Sequence, residues 1–315
     1  MRISAGATLN SERSSMTTGG PGDSRPAKNQ RRDDARTKAA KFRVQQKRRD
    51  RRNRVVLQGG IGVLAIAAVT AIVLIIVNSV QPAGPGPKNM ASDGLLLGPG
   101  LAVVTTPALQ PDEEPVPSTP DASGAVADIR VYLDYLCPFC GKFETTNSDQ
   151  ISQWVEAGAA TLEVHPISIL TSKSAGTQYS LRAANAAACV ANWSPESFFA
   201  VNSALFADQP VEGTAGLSDE DLKNLVKDAG VTASLPSINE CIDDTRFKSW
   251  VKSATDRALS GPIPNSSLKA ITGTPTVLVN GKQYVGALDD PKEFAAFVLQ
   301  ATSETYSTAT PAPVG

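Results

Sequence analysis

Cys137-Pro138-Phe139-Cys140 sits where a β-rich stretch gives way to a helical pattern. Before it, Asp128–Tyr135 alternates apolar and polar side chains, as a strand does. After it, Phe143, Ile151, Trp154 and Val155 form an apolar stripe, which predicts a helix over Pro138–Glu156. A proline is tolerated in the first turn of a helix. At this point the chain is constrained to a strand, a tight turn and a helix, with two thiols one helical turn apart.

The chemistry follows from the placement. A thiolate is the nucleophile of thiol–disulfide exchange, and an isolated thiol has a pKa of about 8.5. A helix N-terminus presents unpaired N–H groups and partial positive charge, which favour an anion. Cys137 occupies that position and reads as the attacking sulfur. Cys140, one turn further in, reads as the shielded, resolving sulfur. A CxxC can also be half of a zinc site, but that needs a second ligand pair. Here Cys189 and Cys241 stand apart and His165 is the single histidine. A purely structural disulfide is the other alternative.

Charge divides the chain. Residues 1–54 hold 16 Lys/Arg against 5 Asp/Glu, and the remainder 14 against 26. Between them Val55–Val77 runs for 23 residues without a charge. As a helix it is about 35 Å long, enough for a bilayer core of about 30 Å. It is longer than the apolar core of a cleaved signal peptide and predicts a signal-anchor transmembrane helix. The basic block Lys47–Arg54 precedes it, and Lys88 is the one basic residue in the fifty that follow. Positive flanks stay in the cytoplasm, so the N-terminus is expected inside and all four cysteines outside, where disulfides persist. The basic tail is read as this topology signal rather than as a nucleic-acid-binding arm.

The expected organisation follows. Residues 1–54 read as a disordered cytoplasmic tail, turning helical from Asp33, and residues 78–92 as a Pro/Gly-rich tether. Two apolar runs around Gly98-Pro99-Gly100 predict a short strand or hairpin within 94–106, and 107–124 a proline-rich loop. The outer domain covers 125–302. Ala160–Leu170 reads as its second strand, bent at Pro166. A helical block at about 171–262 follows, with helices at Thr177–Trp193, Phe198–Ala207, after an N-cap at Ser218 with Asp221 in the capping-box position, and at Ser237–Leu259. Thr276–Val279 and Gln283–Val285 pair around Asn280-Gly281, a strong hairpin signal. Pro291–Ala301 closes with a helix, and the tail from Ser303 reads as disordered.

DYLCPFCGKFE after an apolar strand, with Gly273-Thr274-Pro275-Thr276 before another strand, resembles the thioredoxin superfamily. The helical block between them resembles the DsbA-type branch, in particular the membrane-anchored extracytoplasmic members of Gram-positive bacteria. The resemblance covers about 125–301. It implies an α/β thioredoxin fold with an inserted helical domain, here preceded by one transmembrane helix. It further implies a cis Pro275 packed beside the CxxC and Thr274 offering backbone hydrogen bonds to substrate. Phe139 would be exposed on the substrate surface. Asp134, three residues before Cys137, matches an acidic position in relatives and reads either as a proton relay or as a hydrogen-bonded strand-end carboxylate. Pro138-Phe139 lacks the histidine found in the strongly oxidising DsbA.

Cys189 and Cys241 fall in helices of the insert and read as a second, structural disulfide; a redox relay or free buried thiols are the alternatives. His165 reads as structural, and Trp154, Trp193 and Trp250 as core. The expected activity is an extracytoplasmic protein thiol–disulfide oxidoreductase, an oxidase of exported proteins, needing no cofactor but a membrane redox partner that resets the dithiol. A reductase or isomerase, or a non-catalytic binding or chaperone module of the same fold, are the other readings.

Overall fold

The computed structural model of the chain describes residues 28–79, 84–111 and 113–309. It divides into two units, residues 1–81 and 82–315.

In the first unit α1 runs over Lys28–Ser79. The helix expected from Asp33 begins five residues earlier, at Lys28, so the disordered reading is corrected over 28–32. Residues 28–54 contain no glycine or proline and are rich in Ala, Lys, Arg and Gln, all good helix formers. Residues 1–27 lie outside the described ones. The expected span at 55–77 falls on α1, but most of its side chains lie outside the described residues. Among the described residues no helix is long and apolar enough to cross a membrane.

The second unit is built on β1 (Leu95–Gly98), β2 (Ala102–Val103), β3 (Ala127–Leu133), β4 (Ala160–Pro166), β5 (Thr276–Val279) and β6 (Lys282–Gln283), in the order β2-β1-β4-β3-β5-β6. β3 and β4 are parallel and every other pairing is antiparallel. A parallel neighbour needs a crossover, and α2 (Pro138–Glu156) supplies it. The hairpin at 94–106 joins the main sheet through Leu96 opposite Glu163.

Every residue of β3 is buried. Ala127, Ile129, Val131 and Leu133 enter the main core with Phe143, Ile151 and Phe294. Asp128, Arg130 and Tyr132 face the other way and are covered too, so the alternation of this strand does not mark a wet face. Arg130 lies 2.7 Å from Asp128 and 3.2 Å from Glu163. Glu163 also accepts from the Ser92 and Ser118 hydroxyls and lies 3.4 Å from His165 Nε2. A charge buried without such partners would cost several kcal/mol. The His165 ring is stacked on Tyr132 at 4.3 Å, and its atoms lie where a Gly94 side chain would begin.

The tether reading is corrected over 86–93. Asn89 donates to Ala191 O and accepts from Thr106 N, Met90 is fully buried, and Asp93 holds Arg257 through two 2.7 Å contacts. Proline and glycine content suggested a free tether, but the polar groups here are spent on the domain.

The helical block comprises α3 (Tyr179–Trp193), α4 (Phe198–Ala207), α5 (Asp219–Asp228), α6 (Leu235–Asp243) and α7 (Lys248–Ser260). Six alanines keep α3 thin enough to be buried among its neighbours. Ser218 caps α5 with Asp221 in a full capping box. The single helix expected over Ser237–Leu259 is two helices. Arg246 N bonds Cys241 O and Thr245 N bonds Ile242 O, a Schellman ending with Thr245 at φ 47°. A threonine in the left-handed region carries no glycine-like signal. Asn185 stabilises the break, donating to Cys241 O and accepting from Phe247 N. The Asn280-Gly281 turn joins β5 to β6 with φ 48° and 75°. α8 extends over Pro291–Ala309, so 303–309 is helical rather than disordered. Its N-terminal half packs on the core through Phe294, Val298 and Ala301, and the helix continues beyond them.

Candidate active site

β3 ends at Leu133, and four residues later Cys137 is the N-cap of α2, with Pro138 at the first helical position. The turn is tightly satisfied. Leu136 N donates to the Asp134 carboxyl at 2.9 Å, and Cys137 N to Asp134 O at 2.9 Å. Asp134 N donates to Cys140 Sγ at 3.5 Å. The Asp134 carboxyl also accepts from Leu170 N and from the Ser180 hydroxyl of α3. Asp134 therefore meets Cys140 through its backbone, while its carboxyl ties the turn to the insert. Burial pushes that carboxyl pKa up against these hydrogen bonds.

Both thiols are free. Cys140 is wholly buried, and burial pushes its pKa well above the usual thiol range. Cys137 keeps 5% of its surface exposed, and its sulfur lies 3.2 Å from Thr274 O. The Cys140 thiol, hydrogen-bonded to the Cys137 sulfur, holds the Cys137 pKa down to about 6 against the effect of burial. The Thr274 side chain and the backbone N–H groups of Cys140 and Phe139 add to it. The Thr274 carbonyl, accepting from the neutral thiol, acts the other way and is outweighed. The two sulfurs thus differ in kind: one is a thiolate near neutral pH, the other a protonated, shielded thiol.

The Thr274-Pro275 bond is cis and precedes β5, which pairs with β3. That pairing brings the two loops together. Phe139 is 63% exposed beside Cys137. Cys189 and Cys241 form a disulfide between α3 and α6, fully buried within the insert.

Two residues of the site escaped the sequence reading. Gln209, just past α4, donates to Tyr135 O at 3.1 Å and to Cys137 O at 2.9 Å. Glu144, one turn beyond Cys140 on α2, is buried with Asn202 as its neighbour, and burial raises its pKa to about 7. Neither carries a local motif. The i to i+4 spacing of Cys140 and Glu144 was the one available signal.

Among the described residues no group of His, Cys, Asp and Glu could hold a metal ion. An N-cap thiolate, a buried partner thiol and a cis-proline loop beside them define a thiol–disulfide oxidoreductase site on a thioredoxin-like sheet. Residues 121–299 match the thioredoxin family model. The chain belongs to the thioredoxin family, and its site is that of a thiol–disulfide oxidoreductase. Similar solved structures include the reduced disulfide bond oxidoreductase DsbG of Mycobacterium tuberculosis, 30% identical over 59% of this chain and 86% of that one, with a TM-score of 0.46. Reduced DsbA of the same organism is 28% identical over 69% and 100%, with a TM-score of 0.48. The MdbA thiol-disulfide oxidoreductase of Actinomyces oris is 18% identical over 67% and 89%, also at 0.48. No curated protein matches the chain.

Proposed function

We propose that the chain is a membrane-anchored oxidase that introduces disulfides into exported proteins. The observation that carries the exchange chemistry is the asymmetry of the two sulfurs, with the Cys137 pKa at about 6 and Cys140 buried and protonated. A stabilised thiolate stabilises the reduced form, and a dithiol with a stable reduced form gives its disulfide away readily.

In the oxidising direction a substrate thiolate attacks Cys137 Sγ of the Cys137–Cys140 disulfide. The S–S bond breaks, Cys140 leaves as a thiolate and takes up a proton, and a mixed disulfide joins Cys137 to the substrate. A second substrate thiolate attacks the substrate sulfur of that bond, and Cys137 leaves as a thiolate. Two electrons have passed from two substrate thiols to the Cys137/Cys140 pair. Phe139, exposed next to the sulfur, suits contact with apolar side chains of unfolded chains. A redox partner in the membrane would restore the disulfide.

The placement outside the membrane rests on the charge-free run Val55–Val77 and the basic block before it. One observation favours a reductase instead: Pro138-Phe139 offers no cationic side chain to the Cys137 thiolate. The reduction potential decides between them. Equilibrating the chain with glutathione and alkylating free Cys137 is expected to give a value above the roughly −270 mV of a thioredoxin-like reductant, on the side of the roughly −120 mV that marks a strong oxidant. A chain that neither oxidises a reduced test protein nor reduces insulin would be a binding module rather than an enzyme.

A further inference from the structure

Gln209 lies 72 residues from Cys137 in sequence and touches the turn that carries it. Its side-chain nitrogen donates to Tyr135 O at 3.1 Å and to Cys137 O at 2.9 Å. Both partners are carbonyl oxygens, which only accept, so only the NH₂ end of the amide fits there. The oxygen end points at Gly141, where a Cβ would lie 2.3 Å from Gln209 Oε1. Gly141 is thus the gap in α2 through which the glutamine reaches the turn. Its own φ needs no glycine, so the absent side chain is a matter of space. Cys137 O also accepts from Gly141 N at 3.1 Å. The first carbonyl of α2 therefore takes two donors, one from the helix and one from the insert.

We infer that Gln209 is a positioning residue for Cys137, holding the carbonyls of Tyr135 and Cys137 so that the first turn of α2 presents its N–H groups to the sulfur. This rests on reading Cys137 as the exchanging sulfur. A backbone carbonyl is the negative end of a dipole, and that of Cys137 belongs to the same residue as the thiolate. The amide donor draws that negative end away and adds a partial positive charge of its own. A disulfide sulfur carries no charge to benefit. The interaction is therefore stronger in the reduced form, and it shifts the redox equilibrium as well as the stability.

The experiment compares the glutathione equilibrium and the thiolate titration of the wild-type chain with Gln209→Ala, Gln209→Glu and Gly141→Ala. Gln209→Ala removes the donor. Gln209→Glu keeps the shape, donates nothing and adds negative charge. Gly141→Ala leaves the glutamine in the sequence and pushes its amide off the turn. A lost hydrogen bond of ordinary strength corresponds to about fivefold in an equilibrium constant. Gln209→Ala and Gly141→Ala are each expected to make the disulfide form more favoured, by up to about fivefold, and to raise the Cys137 titration midpoint, with Gln209→Glu moving both further. A merely structural role would destabilise oxidised and reduced forms alike. Equal equilibrium constants and midpoints in all four proteins would overturn the inference, even if the variants unfold more readily. Should Gln209→Ala fail to fold, the other two variants carry the same comparison. A wild-type chain that never equilibrates with glutathione would instead overturn the functional reading itself.

Discussion

Cys137 Sγ lies 3.2 Å from the carbonyl oxygen of Thr274, a residue 137 positions further along the chain. The contact exists because β5 pairs antiparallel with β3, placing the loop before one strand beside the loop after the other. The same pairing sets the cis Thr274-Pro275 bond against the reactive sulfur.

The reactivity of Cys137 is expected to follow its thiolate. Alkylation of the reduced protein should rise with pH to half its plateau near pH 6, the value to which the Cys137 pKa is held. Cys140, pushed upward, should stay unreactive through neutral pH. The same shift links to stability. The folded pKa is depressed, so the added stability of the reduced form is complete above the unfolded thiol pKa of about 8.5. It is lost as pH falls through about 6. The difference in unfolding free energy between reduced and oxidised protein, followed from about pH 8 down through about 6, below the range where the raised Cys140 pKa acts in the opposite sense, checks the sign.

The Cys189–Cys241 disulfide closes a loop across 52 positions. Replacing both with alanine should lower the unfolding free energy by about 4 kcal/mol on the chain-entropy view, seen as an earlier denaturant midpoint. The glutathione equilibrium of Cys137/Cys140 should not move. A shift there would make the second pair a redox relay.

Glu144 should be a pH-dependent liability. Burial raises its carboxyl to about 7. The folded pKa lies above the unfolded one, so the native state holds the proton more tightly and stability falls as pH rises from about 4.5 to about 7. A neutral amide at this position needs no such proton. Glu144→Gln is expected to stabilise the protein at about pH 8 by up to about 3 kcal/mol and to change little near pH 4, measured by chemical denaturation at both values.

Phe139 is exposed, so Phe139→Ser should leave the unfolding free energy within about 0.5 kcal/mol. Exchange with glutathione should continue at a similar rate. Oxidation of a reduced, unfolded protein should slow several-fold, because the lost ring contributes contact rather than chemistry. Equal slowing with both partners would show that Phe139 acts on the sulfur.

Local patterns in the sequence were enough for the strand–turn–helix around Cys137, the helix over Pro138–Glu156, the capping box at Ser218 and the Asn280-Gly281 hairpin. Each depends on residues within a few positions of one another, through side-chain periodicity, a cap hydrogen bond or a positive φ. The pairing of the dithiol with Thr274-Pro275 was legible only through resemblance, because no local rule links residues so far apart. Tertiary structure alone decided the rest. Arg130 and Glu163 look like solvated strand residues until the sheet is covered on both faces. The helix break at Thr245 is held by Asn185 from another helix. Residues 86–93 look like tether until Asp93 finds Arg257. Gln209 reaches the turn of the reactive sulfur only because Gly141 leaves room for it. These are all contacts between distant segments, and their free energy comes from burial and partner geometry that a one-dimensional pattern does not contain.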